Sequence, residues 1–118
     1  MISLPLQFFI KVIFWLTLLA AYGLAIMPAA DTIHLAPSDK IDHIIAFVTL
    51  TILACLGWQK TRSFKIAVGL GLFGALIELT QAIPFIHRDA ELADWLADIS
   101  AVLFVLLVRN AIKRFMVQ

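Results

Sequence analysis

The chain has 118 residues, of which 63% are hydrophobic and 14% are charged, and its net charge is +1. Soluble domains carry about a quarter charged residues, so this composition argues against one and favours a single integral membrane domain, 1–118, with lipids as partners. The near-neutral charge and the lack of basic runs with interleaved aromatics argue against a nucleic-acid partner. The single Cys55 excludes a disulfide framework or a cysteine-based metal motif within one chain.

Four apolar segments are each long enough to be a transmembrane helix, which needs roughly 20 mostly apolar residues. They span about residues 6–27, 41–58, 64–83 and 92–108. Pro28 follows the first segment and Pro84 follows the third, where each would end a helix. The sequence therefore predicts an all-α fold, a four-helix transmembrane bundle. We expect the first segment to remain as a span, because its apolar stretch is long for a cleaved signal peptide.

The distribution of basic residues predicts the orientation of this bundle. Residues 59–65 form a short basic connection, which also predicts a tight antiparallel hairpin of the second and third helices. The basic residues of this connection and of the C-terminal tail are Lys60, Arg62, Lys65, Arg109, Lys113 and Arg114. The first and third connections carry Lys40 and Arg88 as their only Lys or Arg residues. By the positive-inside rule, we expect both termini in the cytoplasm and these two connections on the outer side of the membrane.

Polar and ionisable residues concentrate in four short motifs. They are Asp39-Lys40-Ile41-Asp42-His43, Glu78-Leu79-Thr80-Gln81, His87-Arg88-Asp89 and Asp94-Trp95-Leu96-Ala97-Asp98. The predicted topology brings all four to the outer end of the bundle. A charge in the hydrocarbon region costs about 3 kcal/mol or more, so ionisable residues retained there indicate a functional site.

Helical spacing predicts which of these side chains point into the bundle. Residues three or four positions apart share a helix face. The pairs are Asp39 with His43, Glu78 with Gln81, and Asp94 with Asp98. Small residues mark the places where transmembrane helices approach closely, and four of them share the face of Glu78. They are Ala67, Gly71, Gly74 and Ala75. We therefore expect Glu78 to face the bundle interior, as Asp98 does between Ala97 and Ala101.

A structural explanation stands beside the functional one. Asp39, Asp42 and Asp94 fit equally well as helix caps and first-turn acids that complement the helix dipole. For the deeper polar residues, the alternative is a purely structural hydrogen-bonded network with Arg88 as its counter-ion. These deeper residues are Glu78, Gln81 and Asp98.

The order of the motifs resembles that of VanZ-like membrane proteins. The matching segments are Asp39-Lys40-Ile41-Asp42-His43-Ile44-Ile45-Ala46-Phe47, Glu78-Leu79-Thr80-Gln81, Arg88 and Asp94-Trp95-Leu96-Ala97-Asp98. The family commonly has Asn where this chain has Asp98, and a following Gly where it has Ala101. It is named for a protein associated with resistance to teicoplanin, a glycopeptide that targets cell-wall precursors. The resemblance implies a function in the cell envelope.

Our first hypothesis is that the chain binds or modulates an envelope component without catalysis. Lys40 and Arg88 would meet the phosphates of a lipid-linked cell-wall precursor, and the acids would hold these cations in place. The candidate ligand-binding residues are Asp39, Lys40, His43, Glu78, Gln81, Arg88, Asp94 and Asp98. We expect no bound metal and no cofactor.

A second hypothesis is an intramembrane enzyme that acts on a lipid-linked substrate. Its candidate catalytic residues are His43, Glu78 and Asp98, with His43 as general base, oriented by Asp39 or Asp94, and Glu78 as acid. A metal variant of this hypothesis adds Asp94 to the same three residues, which form a hard nitrogen and oxygen ligand set. No single segment has the spacing of a metal motif, so the sequence alone favours this variant least.

Proton relay is a third hypothesis, because buried acids and histidines can carry protons across a membrane. The polar groups occupy only the predicted outer half of the bundle, and no continuous polar path crosses it. This argues against a monomeric channel. Oligomers could form through the small-residue helix faces.

Overall fold

The computed structural model describes residues 2–27, 39–83 and 92–117, and these residues form four helices. They are α1 (Leu4–Ile26), α2 (Asp39–Gly57), α3 (Ser63–Gln81) and α4 (Leu92–Val117). The described residues contain no strand, which confirms the predicted all-α class with four helices. The predicted bounds agree to within two residues except at the end of α4, which continues from the predicted end near 108 to Val117. The apolar pattern identifies the span, and the helix continues beyond it as a polar, basic end.

Three of the helices are long and apolar enough to cross a membrane. They are α1, α3 and α4, and the apolar part of α2, Ile41–Gly57, is shorter. Large apolar side chains are exposed all around the bundle, where a soluble protein would place polar ones. Examples are Phe8, Leu19, Phe64, Leu72 and Phe104, each more than half exposed. The helix lengths and this apolar exterior identify a membrane protein.

The helices are arranged around the bundle in the order α1, α2, α4, α3. α2 packs extensively against α1 and α4, and α3 packs extensively against α4 and less against α1. α2 and α3 therefore lie at opposite corners, although only residues 58–62 connect them. The predicted tight hairpin is correct for the short connection but not for the packing. The reason lies in α3, whose small residues face α4: a Cβ on Gly71 would lie 3.0 Å from Ile99 Cδ1.

Aromatic and aliphatic side chains fill the centre of the bundle. Phe47, Leu50 and Val102 are almost completely buried. The rings of Phe47 and Phe73 join α2 to α3 across the centre, with a centroid distance of 5.8 Å. Phe47 lies one helical turn after His43, so this apolar core begins directly beneath the polar residues of α2.

The basic segments meet at one end of the bundle. Arg109 in α4 donates from Nη2 to the carbonyl oxygen of Gln59, at 2.9 Å, in the connection between α2 and α3. Beside it, Ser63 Oγ donates to Asn110 Oδ1 at 3.0 Å. Lys11 of α1 joins this end, where its Nζ lies 5.5 Å from the centroid of the Trp58 ring. The second connection and the end of α4 therefore share one side, as the charge pattern predicts.

Candidate functional site

A buried hydrogen bond between α2 and α4 forms the centre of the candidate site. His43 Nδ1 lies 3.0 Å from Asp98 Oδ1 and 3.4 Å from Oδ2. His43 is 9% exposed and Asp98 is fully buried at 0%. Burying a charged or polar group away from water is unfavourable unless it is hydrogen-bonded, and this contact supplies each residue with a partner. With the imidazole as donor, its Nδ1–H points at the carboxylate. The sequence predicted Asp39 or Asp94 as the carboxylate that orients His43, but the structure pairs it with Asp98, which the close approach of α4 brings within reach.

Glu78 of α3 brings a second carboxylate to this pair. One ring nitrogen of His43 and one carboxylate oxygen from each of Glu78 and Asp98 all lie within 4.8 Å of one another. We name these three residues the acid–histidine cluster. Each of the three residues comes from a different helix. Because α4 lies between α2 and α3, Asp98 lies between His43 and Glu78. The sequence prediction that Glu78 and Asp98 face the bundle interior agrees with this geometry.

Gly74 explains how α3 and α4 come close enough to form the cluster. It lies one turn before Glu78, and a Cβ at this position would be 3.3 Å from Asp98 Oδ2 and 3.3 Å from Trp95 Cδ1. Such contacts are tighter than ordinary packing, so the missing methyl group leaves room for the Asp98 carboxylate. Trp95 also donates from Nε1 to the carbonyl oxygen of Gly71 at 3.1 Å, which holds α4 against α3.

Gln81 connects α3 to the end of α1. Its Nε2 donates to the carbonyl oxygen of Ala25 at 2.8 Å, and the side chain is only 2% exposed. This bond satisfies a backbone carbonyl near the end of α1, where no helical partner follows. The other amide atom, Oε1, is buried without a hydrogen-bond partner among the described residues. Gln81 is thus a buried polar residue on the same face of α3 as Glu78, and its hydrogen bond joins α3 to α1.

Asp94 lies in the first turn of α4 and is 7% exposed. It is four residues before Asp98 and therefore on the same face of the helix. A first-turn acid suits the positive end of the helix dipole, and its burial places it inside the bundle as well.

Three of the predicted ligand-binding residues have side chains outside the described part of the chain. Asp39 and Lys40 begin α2, and their side chains lie outside the described part of the chain. Arg88 falls between residue 83 and residue 92, also outside the described residues. Their assignment as phosphate-binding cations and supporting acid stays a prediction.

One polar contact, between α1 and α3, was not predicted from the sequence. The hydroxyl of Tyr22 lies 2.8 Å from Thr80 Oγ1. Because Thr80 Oγ1 donates its own hydrogen to the carbonyl oxygen of Leu76 at 2.8 Å, Tyr22 is the donor in this pair. Tyr22 is the single tyrosine of the chain and lies among apolar and small residues in the last turns of α1, and its hydroxyl was the available signal.

The fold and the site together define a class: an all-α membrane protein with a buried imidazole and two carboxylates at one end of the bundle. Such a set can exchange protons, hold a cation or bind the polar part of a ligand. Comparisons with known protein families, with characterised proteins and with solved structures give no match for this chain.

Proposed function

We propose that this chain is a VanZ-like multi-pass protein of the bacterial cytoplasmic membrane that binds and modulates a component of the cell envelope. The acid–histidine cluster is its ligand site, near the outer surface of the membrane. A lipid-linked cell-wall precursor is the proposed ligand, and glycopeptide susceptibility is the proposed phenotype.

The observation that carries the proposal is the convergence of His43, Glu78 and Asp98 from three helices to within 4.8 Å. Ionisable groups at membrane depth are costly, by about 3 kcal/mol or more each, and functional sites are where such groups are retained. The cluster lies in a bundle whose core is mainly apolar, and the buried Gln81 and Asp94 extend it on the faces of α3 and α4. The order of the sequence motifs adds the family resemblance.

The charge pattern supports an outward-facing site. His43 lies about 22 Å along α2 from Trp58, at the end opposite the basic residues. If the basic end is cytoplasmic, the cluster lies near the outer leaflet, where lipid-linked wall precursors are consumed. Lys40 lies at the start of α2, and Arg88 follows α3 in the sequence. By the predicted topology both belong to the outer end, where they would supply the positive charge that phosphates require.

Complementation of a bacterial deletion strain tests this function. We expect wild type to restore teicoplanin susceptibility and envelope-stress responses to their normal level, and His43→Ala, Glu78→Gln, Asp98→Asn and Arg88→Ala to fail at equal membrane abundance. Asp42→Asn is the matched control, since it removes a carboxylate adjacent to His43 in the chain that is not one of the three cluster residues. Full complementation by all four site variants would show that the cluster is structural.

A second function is favoured by the geometry of the histidine. The contact between His43 Nδ1 and Asp98 leaves Nε2 as the ring atom that can accept a proton, as in enzymes that use a carboxylate to orient a histidine base. Glu78 would supply the acid for hydrolysis of a lipid-linked substrate by water. Purified protein would then convert the precursor chemically, and Glu78→Gln would slow this conversion by roughly 10²–10⁴-fold. Retention of an unchanged precursor would instead favour binding.

A further inference from the structure

We propose that the acid–histidine cluster binds a divalent transition-metal ion, Zn²⁺ or Mn²⁺, through one ring nitrogen of His43 and one carboxylate oxygen from each of Glu78 and Asp98. This inference goes beyond the proposed envelope function and does not depend on it. The sequence argues weakly for a metal because its ligands are spread over three helices, and only the folded bundle brings them together.

The donor atoms have the chemistry that these ions prefer. An imidazole nitrogen and carboxylate oxygens are common ligands of Zn²⁺ and Mn²⁺, whereas Mg²⁺ and Ca²⁺ favour sets made of oxygen alone. Ligand atoms bound to one Zn²⁺ lie about 2.0–2.2 Å from it, and so at most about 4.4 Å from one another. The donor atoms of the cluster lie within 4.8 Å of one another, so small side-chain rotations would close the site around an ion.

The charge of the cluster also fits a divalent cation. When a divalent ion displaces the proton between His43 and Asp98, the two carboxylates and the neutral imidazole would offer it ligands with a formal charge of −2. Asp98 is fully buried and His43 is 9% exposed, so neutralisation takes place in surroundings where solvent contributes little. Electrostatic attraction is stronger in such a place than at a surface.

The surrounding helices give the ion both space and support. A Cβ on Gly74 would lie 3.3 Å from Asp98 Oδ2, so the glycine keeps this carboxylate free to adjust. The hydrogen bond from Trp95 to Gly71, at 3.1 Å, fixes the backbone of α4 relative to α3 one turn away. Three protein ligands leave a coordination position open, which is the arrangement that metal sites use to bind water or a substrate oxygen.

The test is metal binding by the purified full chain in lipid nanodiscs, with Zn²⁺ and Mn²⁺ added separately after chelator treatment. We expect saturable binding of one ion per chain by calorimetry for Zn²⁺ and by electron paramagnetic resonance for Mn²⁺. Glu78→Gln and Asp98→Asn should each weaken the affinity by about tenfold or more. Asp42→Asn, the matched loss of a carboxylate on the neighbouring residue, should keep the wild-type affinity.

Two results would overturn the proposal: no saturable binding of either ion by wild type, or equal affinity in the Glu78, Asp98 and Asp42 variants. Circular dichroism checks that each variant folds. If Asp98→Asn unfolds, the partly buried Glu78 decides the question through Glu78→Gln alone. Because binding is measured without any envelope component, a metal-binding protein whose variants all complement would overturn the envelope function only. A protein that binds no ion but loses complementation would overturn the metal site only.

Discussion

At the residue scale, His43 and Asp98 depend on each other for a buried hydrogen bond. Both side chains are withdrawn from water, and each satisfies the other across 3.0 Å. Removing one leaves the other buried with one fewer partner, and such truncations cost more than the net value of the hydrogen bond. The two residues should therefore be strongly coupled energetically.

A double-mutant cycle of His43→Ala and Asp98→Ala measures this coupling. We expect each single variant to lower the free energy of unfolding substantially and the double variant to lower it by much less than the sum. The expected coupling free energy is about 1.5–3 kcal/mol, from reversible unfolding in mixed micelles. The pair Thr49→Ala and Asp98→Ala is the control, because Thr49 bonds only to its own helix, at Ile45. Additive effects for the histidine pair would contradict the direct interaction.

Some residues of the site could be predicted from the sequence, whereas some of the hydrogen bonds around it could not. Helical periodicity and the rarity of charge in apolar segments are enough to select His43, Glu78 and Asp98. The bonds made by Tyr22 and Trp95 could not be foreseen, because each depends on how one helix is rotated against a neighbour. A sequence specifies the polar group, whereas the partner is decided by packing.

At the element scale, the approach of α3 to α4 controls whether the site can exist. Gly71 and Gly74 form the contact surface of α3, and the absence of side chains there lets α4 approach closely. The small-residue pattern predicts close approach but does not say which helix approaches. The main neighbour is α4, and α2 contributes only Phe47, whose Cζ would lie 3.4 Å from a Cβ on Gly74. The predicted hairpin packing of α2 against α3 was therefore wrong. Adjacency in the chain is a weak guide when a third helix presents the better complementary face.

Gly74→Ala tests this contact, with Gly69→Ala as its matched control. The new methyl group at position 74 would crowd Asp98 and Trp95, while a Cβ at Gly69 meets nothing within 4 Å. We expect Gly74→Ala to destabilise the bundle by about 1–3 kcal/mol through overpacking. Gly69→Ala should be neutral or stabilise it by up to about 1 kcal/mol through helix propensity. Thermal unfolding in detergent compares the two, and equal melting temperatures would argue against a tight contact at Gly74.

At the scale of the whole molecule, the separation of charge between the two ends predicts the orientation in the membrane. The second connection contacts the basic end of α4 through Gln59 and Arg109 on one side, and the acid–histidine cluster lies near the other. The positive-inside rule places the cations in the cytoplasm. Because both basic segments lie at the same end of the bundle, they must face the same compartment, and the orientation of one helix fixes that of the other three.

Reporter fusions to the C-terminus test the orientation. A fluorescent protein that folds only in the cytoplasm should be bright there, and alkaline phosphatase, which needs the periplasm, should be inactive. Replacing Lys60, Arg62 and Lys65 by Gln should reduce this preference and produce a mixed population, because the cations of the tail remain. The same replacement at Lys40 is the control and should strengthen the wild-type orientation or leave it unchanged. An active phosphatase fusion of the unaltered chain would reverse the assignment of the two sides.

The order of the helices around the bundle also has a consequence for biogenesis. α4 follows the other three helices in the chain, yet it occupies the place between α2 and α3. Because they precede it in the chain, His43 and Glu78 leave the ribosome before Asp98 does. The nascent protein must pass through a stage in which the corner between α2 and α3 is open to lipid, and only the arrival of α4 seals it. A chain stalled at this stage exposes polar groups within the membrane, which is a feature that quality-control proteases can recognise.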